Sequence, residues 1–87
     1  MQVAVWDTYV AKSDGSTMHF DIIVPAELKD TAVIYRYGNE YLTLKGQEGR
    51  PLSAKECRFC HIETVPPNWE EKIKRTGYYI YEMENCC

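Results

Sequence analysis

Glycine and proline divide this chain into six short segments, and that punctuation constrains the fold more than any other feature. Asp14-Gly15, Pro25, the run Gly46-Gln47-Glu48-Gly49-Arg50-Pro51, Pro66-Pro67 and Gly77 separate stretches of strand-like or helical pattern. Each marks a point where a regular element cannot simply continue. With 87 residues in total, six such segments can form only one small domain, spanning residues 1–87.

The segments alternate in character. Val3 to Val10 and Met18 to Val24 are rich in β-branched and aromatic residues around the Asp14-Gly15 pair, which predicts an antiparallel hairpin. A two-residue loop there sets Thr8 opposite Asp21 and Val10 opposite His19, whereas a shift of one residue faces Asp7 with Asp21. Asp30-Thr31 offers a cap for a helix carrying Val33, Ile34, Tyr37, Tyr41 and Leu44, ended by Gly46. Gly38 inside it costs about 1 kcal/mol relative to Ala, so this helix depends on packing against the rest of the molecule.

Residues 46–51 have no periodicity and are expected to be exposed and mobile. Arg58 to Val65 reads as a third strand. Asn68-Trp69-Glu70-Glu71 then matches an N-cap with an acidic first turn, with Trp69 and Ile73 on the inner face of a short helix that Gly77 stops. Tyr78 to Glu84 completes a fourth strand, whose alternating Tyr78, Tyr79 and Tyr81 divide between core and rim. The expected fold is α+β: a β-hairpin followed by α-β-α-β, a mixed four-stranded sheet with two helices, its last two strands joined by a right-handed parallel crossover.

Composition narrows the function classes. An apolar fraction of 45% with 13% aromatic residues is that of a packed domain rather than a disordered chain. Thirteen acidic against ten basic residues give a net charge of −3, which opposes affinity for phosphate backbones and anionic membranes. No nucleic-acid role and no membrane role is expected, and no apolar run approaches the roughly 20 residues that span a bilayer. The opening Met1-Gln2-Val3-Ala4-Val5 carries no export signal. The expected location is cytoplasmic, where cysteines persist as thiols or metal ligands.

Cys57-Arg58-Phe59-Cys60-His61 is the chemically richest stretch. Cys-x-x-Cys-His spacing serves haem attachment, zinc knuckles and dithiol redox pairs, and it also occurs in ordinary strands. Haem attachment conflicts with a cytoplasmic location. A thioredoxin-like pair needs its first cysteine at a helix N-terminus, whereas here strand-like Ile62, Thr64 and Val65 follow. On a strand, Cys57, Phe59 and His61 share one face and Arg58, Cys60 and Ile62 the other, so the two thiols cannot chelate one ion. Zinc would need four ligands drawn from Cys57, Cys60, His61, Cys86, Cys87 or His19. In a parallel crossover the terminal cysteines lie roughly 20 Å from Cys57 at about 3.3 Å per residue. The strand reading leaves these cysteines as structural thiols with no cofactor, and zinc as the alternative.

His19 and Asp21 lie two apart on one strand face, with Asp7 as a neighbour in one hairpin register, a pairing that can act as a base or as a solvated surface pair. Arg50, with Lys45, makes the 46–51 loop a candidate anion-contacting surface. The chain has no P-loop, dinucleotide fingerprint, His-Glu-x-x-His or serine-nucleophile motif, and no catalytic residue is assigned.

Five stretches together resemble a known family: Val5-Trp6-Asp7-Thr8-Tyr9-Val10, Met18-His19-Phe20-Asp21, Gly46-Gln47-Glu48-Gly49, Glu56-Cys57-Arg58-Phe59-Cys60-His61-Ile62-Glu63 and Met83-Glu84-Asn85-Cys86. The chain is similar, almost end to end, to the small bacterial domain-of-unknown-function family numbered twenty twenty-four. The resemblance implies a compact bacterial α+β domain and supplies no substrate, cofactor or catalytic residue. Cys87 looks like an addition to the family pattern. The expected function is a binding or accessory module rather than an enzyme, acting on an unknown protein or small-molecule partner as a monomer or weak homodimer. The alternative is a zinc or thiol-redox protein using Cys57, Cys60 and His61.

Overall fold

Val3, Val5 and Ile23 bury one face of the first hairpin, and Ala4, Val10, Met18, Phe20, Ile22 and Val24 bury the other. Strands that are apolar on both faces belong in the middle of a sheet. The computed structural model, which describes residues 1–86, places them there. Strands β1 (Gln2–Ala11) and β2 (Thr17–Pro25) form the central antiparallel pair, with β3 (Cys57–Thr64) outside β1 and β4 (Tyr79–Glu84) outside β2, in the order β3-β1-β2-β4.

The α+β class and the element order agree with the sequence reading, but the sheet is antiparallel throughout rather than mixed. The expected parallel crossover would set β3 beside β4. Instead the doubly buried hairpin takes the centre, and helix α2 (Pro67–Thr76) carries the chain across it to the far edge. The outer strands can tolerate the edge because most of their residues are exposed or half-buried.

The hairpin turn spans residues 12–16 rather than two residues. Lys12 N–H donates to the Ser16 carbonyl at 2.8 Å, Asp14 accepts from Ser16 N–H at 2.9 Å, and Gly15 adopts φ +91°. Asp7 therefore pairs with Asp21 and Thr8 with Phe20. Hydrophobic patterning accounts for this choice: Ala4, Trp6, Thr8 and Val10 face Val24, Ile22, Phe20 and Met18, whereas the two-residue loop would have put Thr8 and Val10 against Asp21 and His19.

Each edge strand contains one bulge. On β3, Val5 pairs with His61 and Trp6 with Phe59, leaving Cys60 as the extra residue. Strict alternation consequently fails: Cys57, Phe59 and Ile62 share the face of Ala4 and Trp6, while Arg58, His61 and Glu63 share the opposite face. On β4, His19 pairs with Glu84 and Phe20 with Glu82, leaving Met83 unpaired.

Helix α1 (Thr31–Leu44) covers the face of Ala4 and Phe20. Asp30 caps it by accepting from Ala32 N–H at 3.0 Å. Its buried stripe is Ile34, Gly38, Tyr41 and Leu42, spaced as one helix face requires. Leu44, expected inside, lies off that stripe and is 81% exposed. Gly38 sits where there is no room for a side chain, since a Cβ there would collide with Leu52 and press on Ile22 of the sheet.

Helix α2 covers the opposite face, where Ile73 packs with Val3, Val5, Ile23 and Val65 and the Trp69 ring stacks on Tyr79 at 4.7 Å. It begins two residues earlier than its acidic first turn suggested. Pro66 is the N-cap and Pro67 the first helical residue, so Asn68 makes no cap. Gly77 ends it in the left-handed region at φ +97°, donating to the Ile73 carbonyl at 2.7 Å. None of the described helices is long and apolar enough to cross a membrane.

The 46–51 loop is exposed except at Gln47 and Arg50, and these two tie it to the hairpin. Gln47 accepts from Ser13 N–H at 3.0 Å, and Arg50 Nε donates to the Ala11 carbonyl at 2.6 Å.

Candidate functional site

Helix α2 is shorter than the face it covers. It shields Val3, Val5, Ile23 and Tyr79, and leaves the turn-proximal half of that face open. Across this half lie Arg58 and His61 from β3, Asp7 and Tyr9 from β1, His19 and Asp21 from β2, and Tyr81 and Glu84 from β4. A row of polar side chains at the centre of a sheet is unusual, because central positions normally face a covering layer.

The Asp7–Asp21 register places two carboxyl groups side by side, and the two-residue period brings His19 onto the same face as Asp21. His19 Nε2 and Asp7 Oδ1 are 2.6 Å apart. The Tyr9 ring lies flat against the imidazole, with centroids 4.1 Å apart and planes 13° from parallel. Ligand atoms of Asp7, His19 and Asp21 all fall within 4.8 Å of one another. All three residues are half-buried.

Two carboxyl groups this close resist joint ionisation. Asp21 is pushed up to about 6, first by burial and then by the Asp7 charge, while His19 and His61 pull the other way. Tyr9 is also pushed up, through loss of water and then through the charges of Asp7, Glu84 and Asp21. The site is therefore short of positive charge, and a cation placed among these groups relieves the repulsion.

The geometry fits a metal ion of moderate softness, since imidazole nitrogen with two carboxylates suits zinc and its neighbours in the first transition row. Bonds of about 2.0 to 2.1 Å hold ligand atoms about 3 Å apart. An ion between His19 and Asp7 requires those atoms, now 2.6 Å apart, to part by roughly half an ångström or more, and the group as a whole, spread over as much as 4.8 Å, to draw in by roughly an ångström.

The cysteine motif is distributed differently. Cys57 is buried on the α1 side beside the Thr8 hydroxyl, with its Sγ 3.4 Å from Oγ1, and burial pushes its thiol up. Cys60 is exposed on its bulge, with Sγ 3.1 Å from His61 Nδ1, and His61 Nε2 is 2.8 Å from Glu63 Oε1. Cys86 is buried beside the carbonyls of His19 and Glu84, and Cys87 lies outside the described residues. Among the described residues, Asp7, His19 and Asp21 alone bring three such ligand atoms within reach of one ion; Cys57, Cys60 and His61 do not.

Of the polar candidates, His19 and Asp21 meet in the site, while Arg50 donates from Nε to the Ala11 carbonyl and is not among the grouped ligand residues. Asp7 entered the sequence reading only through one of two registers, and Tyr9 and Glu63 did not enter it as site residues. Tyr9 could have been found as the cross-strand partner of His19 in the correct register. Glu63 could have been found as the residue two along from His61 on the same strand face.

On the α1 side, a groove of about 300 Å³ lies between β3 and the segment after β2, lined by Ala4, Trp6, Ala26, Leu28, Lys29, Phe59 and Ile62. It is mostly apolar and is separated from the polar face by the sheet.

Comparison with known proteins agrees with this architecture. The sequence model of a family described as a domain of unknown function, DUF2024, matches residues 1–83. The solution structure of protein NE1680 from Nitrosomonas europaea is similar at 41% identity over 100% of both chains, with a TM-score of 0.87. No curated protein matches.

Proposed function

We propose that this chain, which belongs to the DUF2024 family, is a bacterial cytoplasmic binding module whose working surface is the open half of the sheet, and that this surface takes a divalent transition-type cation on Asp7, His19 and Asp21. The observation that carries the reading is the convergence of three ligand atoms within 4.8 Å on the two central strands. Ligands on central strands are held by two hydrogen-bonded backbones, which fixes their spacing better than a loop would.

Three protein ligands leave positions for water or for a group on a small molecule or protein partner. Tyr9 and Tyr81 offer apolar walls around it, at 49% and 42% exposure. The acidic character of the face disfavours nucleic acid and anionic membrane surfaces. Among the described residues Cys57, Cys60 and Cys86 are free thiols.

Zinc titration by calorimetry, followed in parallel by NMR, tests the reading. One equivalent should bind near neutral pH and perturb His19, Asp7 and Asp21, and His19→Ala or Asp21→Asn should abolish the heat. Binding should weaken as pH falls through about 6, where Asp21 takes up its proton. Absence of binding at neutral pH, or unchanged binding in both variants, would overturn it.

A further inference from the structure

Beside the β3 bulge, the exposed end of the Cys-x-x-Cys-His motif forms a three-membered relay that borders the cation site and shares none of its ligands. Cys60 Sγ lies 3.1 Å from His61 Nδ1, and His61 Nε2 lies 2.8 Å from Glu63 Oε1. A carboxylate can only accept, so Glu63 fixes the proton on Nε2 and leaves Nδ1 of the neutral ring as an acceptor facing the thiol. Nucleophile, base and orienting group thus stand in sequence, each within hydrogen-bond reach of the next. All three side chains are exposed, with His61 at 51% and Glu63 at 43%.

We propose that Cys60 is a reactive thiol, with His61 as its base and Glu63 as the positioning residue of that base, and that it exchanges with low-molecular-weight disulfides. The Cys60 proton passes to His61 Nδ1, and the thiolate attacks one sulfur of a disulfide RSSR. The new Cys60 Sγ–S bond forms as the original S–S bond breaks. The expelled thiolate takes the proton from His61, so Cys60–SH and RSSR become Cys60–SSR and RSH. The Cys60 sulfur is oxidised and the departing sulfur is reduced, with no other reactant required.

The motif's other cysteine does not complete a redox pair. Cys57 is 1% exposed, turned to the α1 side and bonded to Thr8, so it is not placed to attack the mixed disulfide. The product is therefore an adduct on Cys60 rather than a Cys57–Cys60 disulfide. Neither Asp7, His19 nor Asp21 takes part, so this inference stands whether or not the cation site binds zinc.

The test uses the full reduced chain and glutathione disulfide, with intact mass and peptide mapping over time. One glutathionyl group should appear on Cys60, and Cys60→Ser should remove that adduct while the amide spectrum of the fold is retained. His61→Ala should slow modification of Cys60 roughly tenfold or more, and Glu63→Gln by a smaller factor. Added imidazole should restore part of the rate to His61→Ala, which a merely structural histidine would not allow. Modification confined to another cysteine, no modification at all, or an unchanged Cys60 rate in His61→Ala would overturn the proposal.

Discussion

Asp21 works against the stability of the fold that holds it. Its carboxyl has an ordinary value of 3.8 and is raised to about 6 in the folded chain. Between about pH 4 and pH 6 the folded state therefore binds more protons than the unfolded state, and this group removes stability as pH rises through that window. Asp21→Asn should stabilise the protein above pH 6, by on the order of 1 kcal/mol once solvent screening is allowed for, with no gain below about pH 4. Urea unfolding of both proteins across this range measures the difference. A residue that costs stability in a central strand fits a binding role better than a packing role. In the sequence, the alternation of His19 and Asp21 was legible from spacing alone. Asp7 was not fixed by spacing, because its place depends on a register that the apolar residues of both strands decide together.

Helix α1 shows how a residue unfavourable for its element can be favourable for the molecule. Alanine is the better helix former by about 1 kcal/mol, yet Gly38→Ala should destabilise the protein by roughly 1 to 3 kcal/mol, because its methyl group meets Leu52 and Ile22. Thermal and urea melts would show the sign. The element boundaries followed the breakers closely: Asp30 as cap, Gly77 as stop, and Trp69 with Ile73 on the inner face of α2 were all readable. The bulges were not. Cys60 and Met83 are extra residues only relative to the strands beside them, and that mismatch exists only after the sheet has assembled. The face on which His61 falls relative to Cys57 was hidden for the same reason.

For the molecule as a whole, strand order was the main feature that local sequence misplaced. A strand, a ten-residue helix and a strand suggest neighbouring parallel partners, but both faces of the hairpin were already committed to burial, and the later strands could join only at its two outer edges. The resulting open sheet exposes two edges to other copies of itself. An uninterrupted edge is a template for adding strands without limit, and cells contain many identical chains. Here each rim is kinked by its single surplus residue, Cys60 on one side and Met83 on the other. The expected outcome is a chain that stays monomeric in light scattering as concentration rises, and that forms larger species when Cys60 or Met83 is deleted to straighten the rim. The irregularity that aims a thiol outward is also a safeguard against self-templated growth.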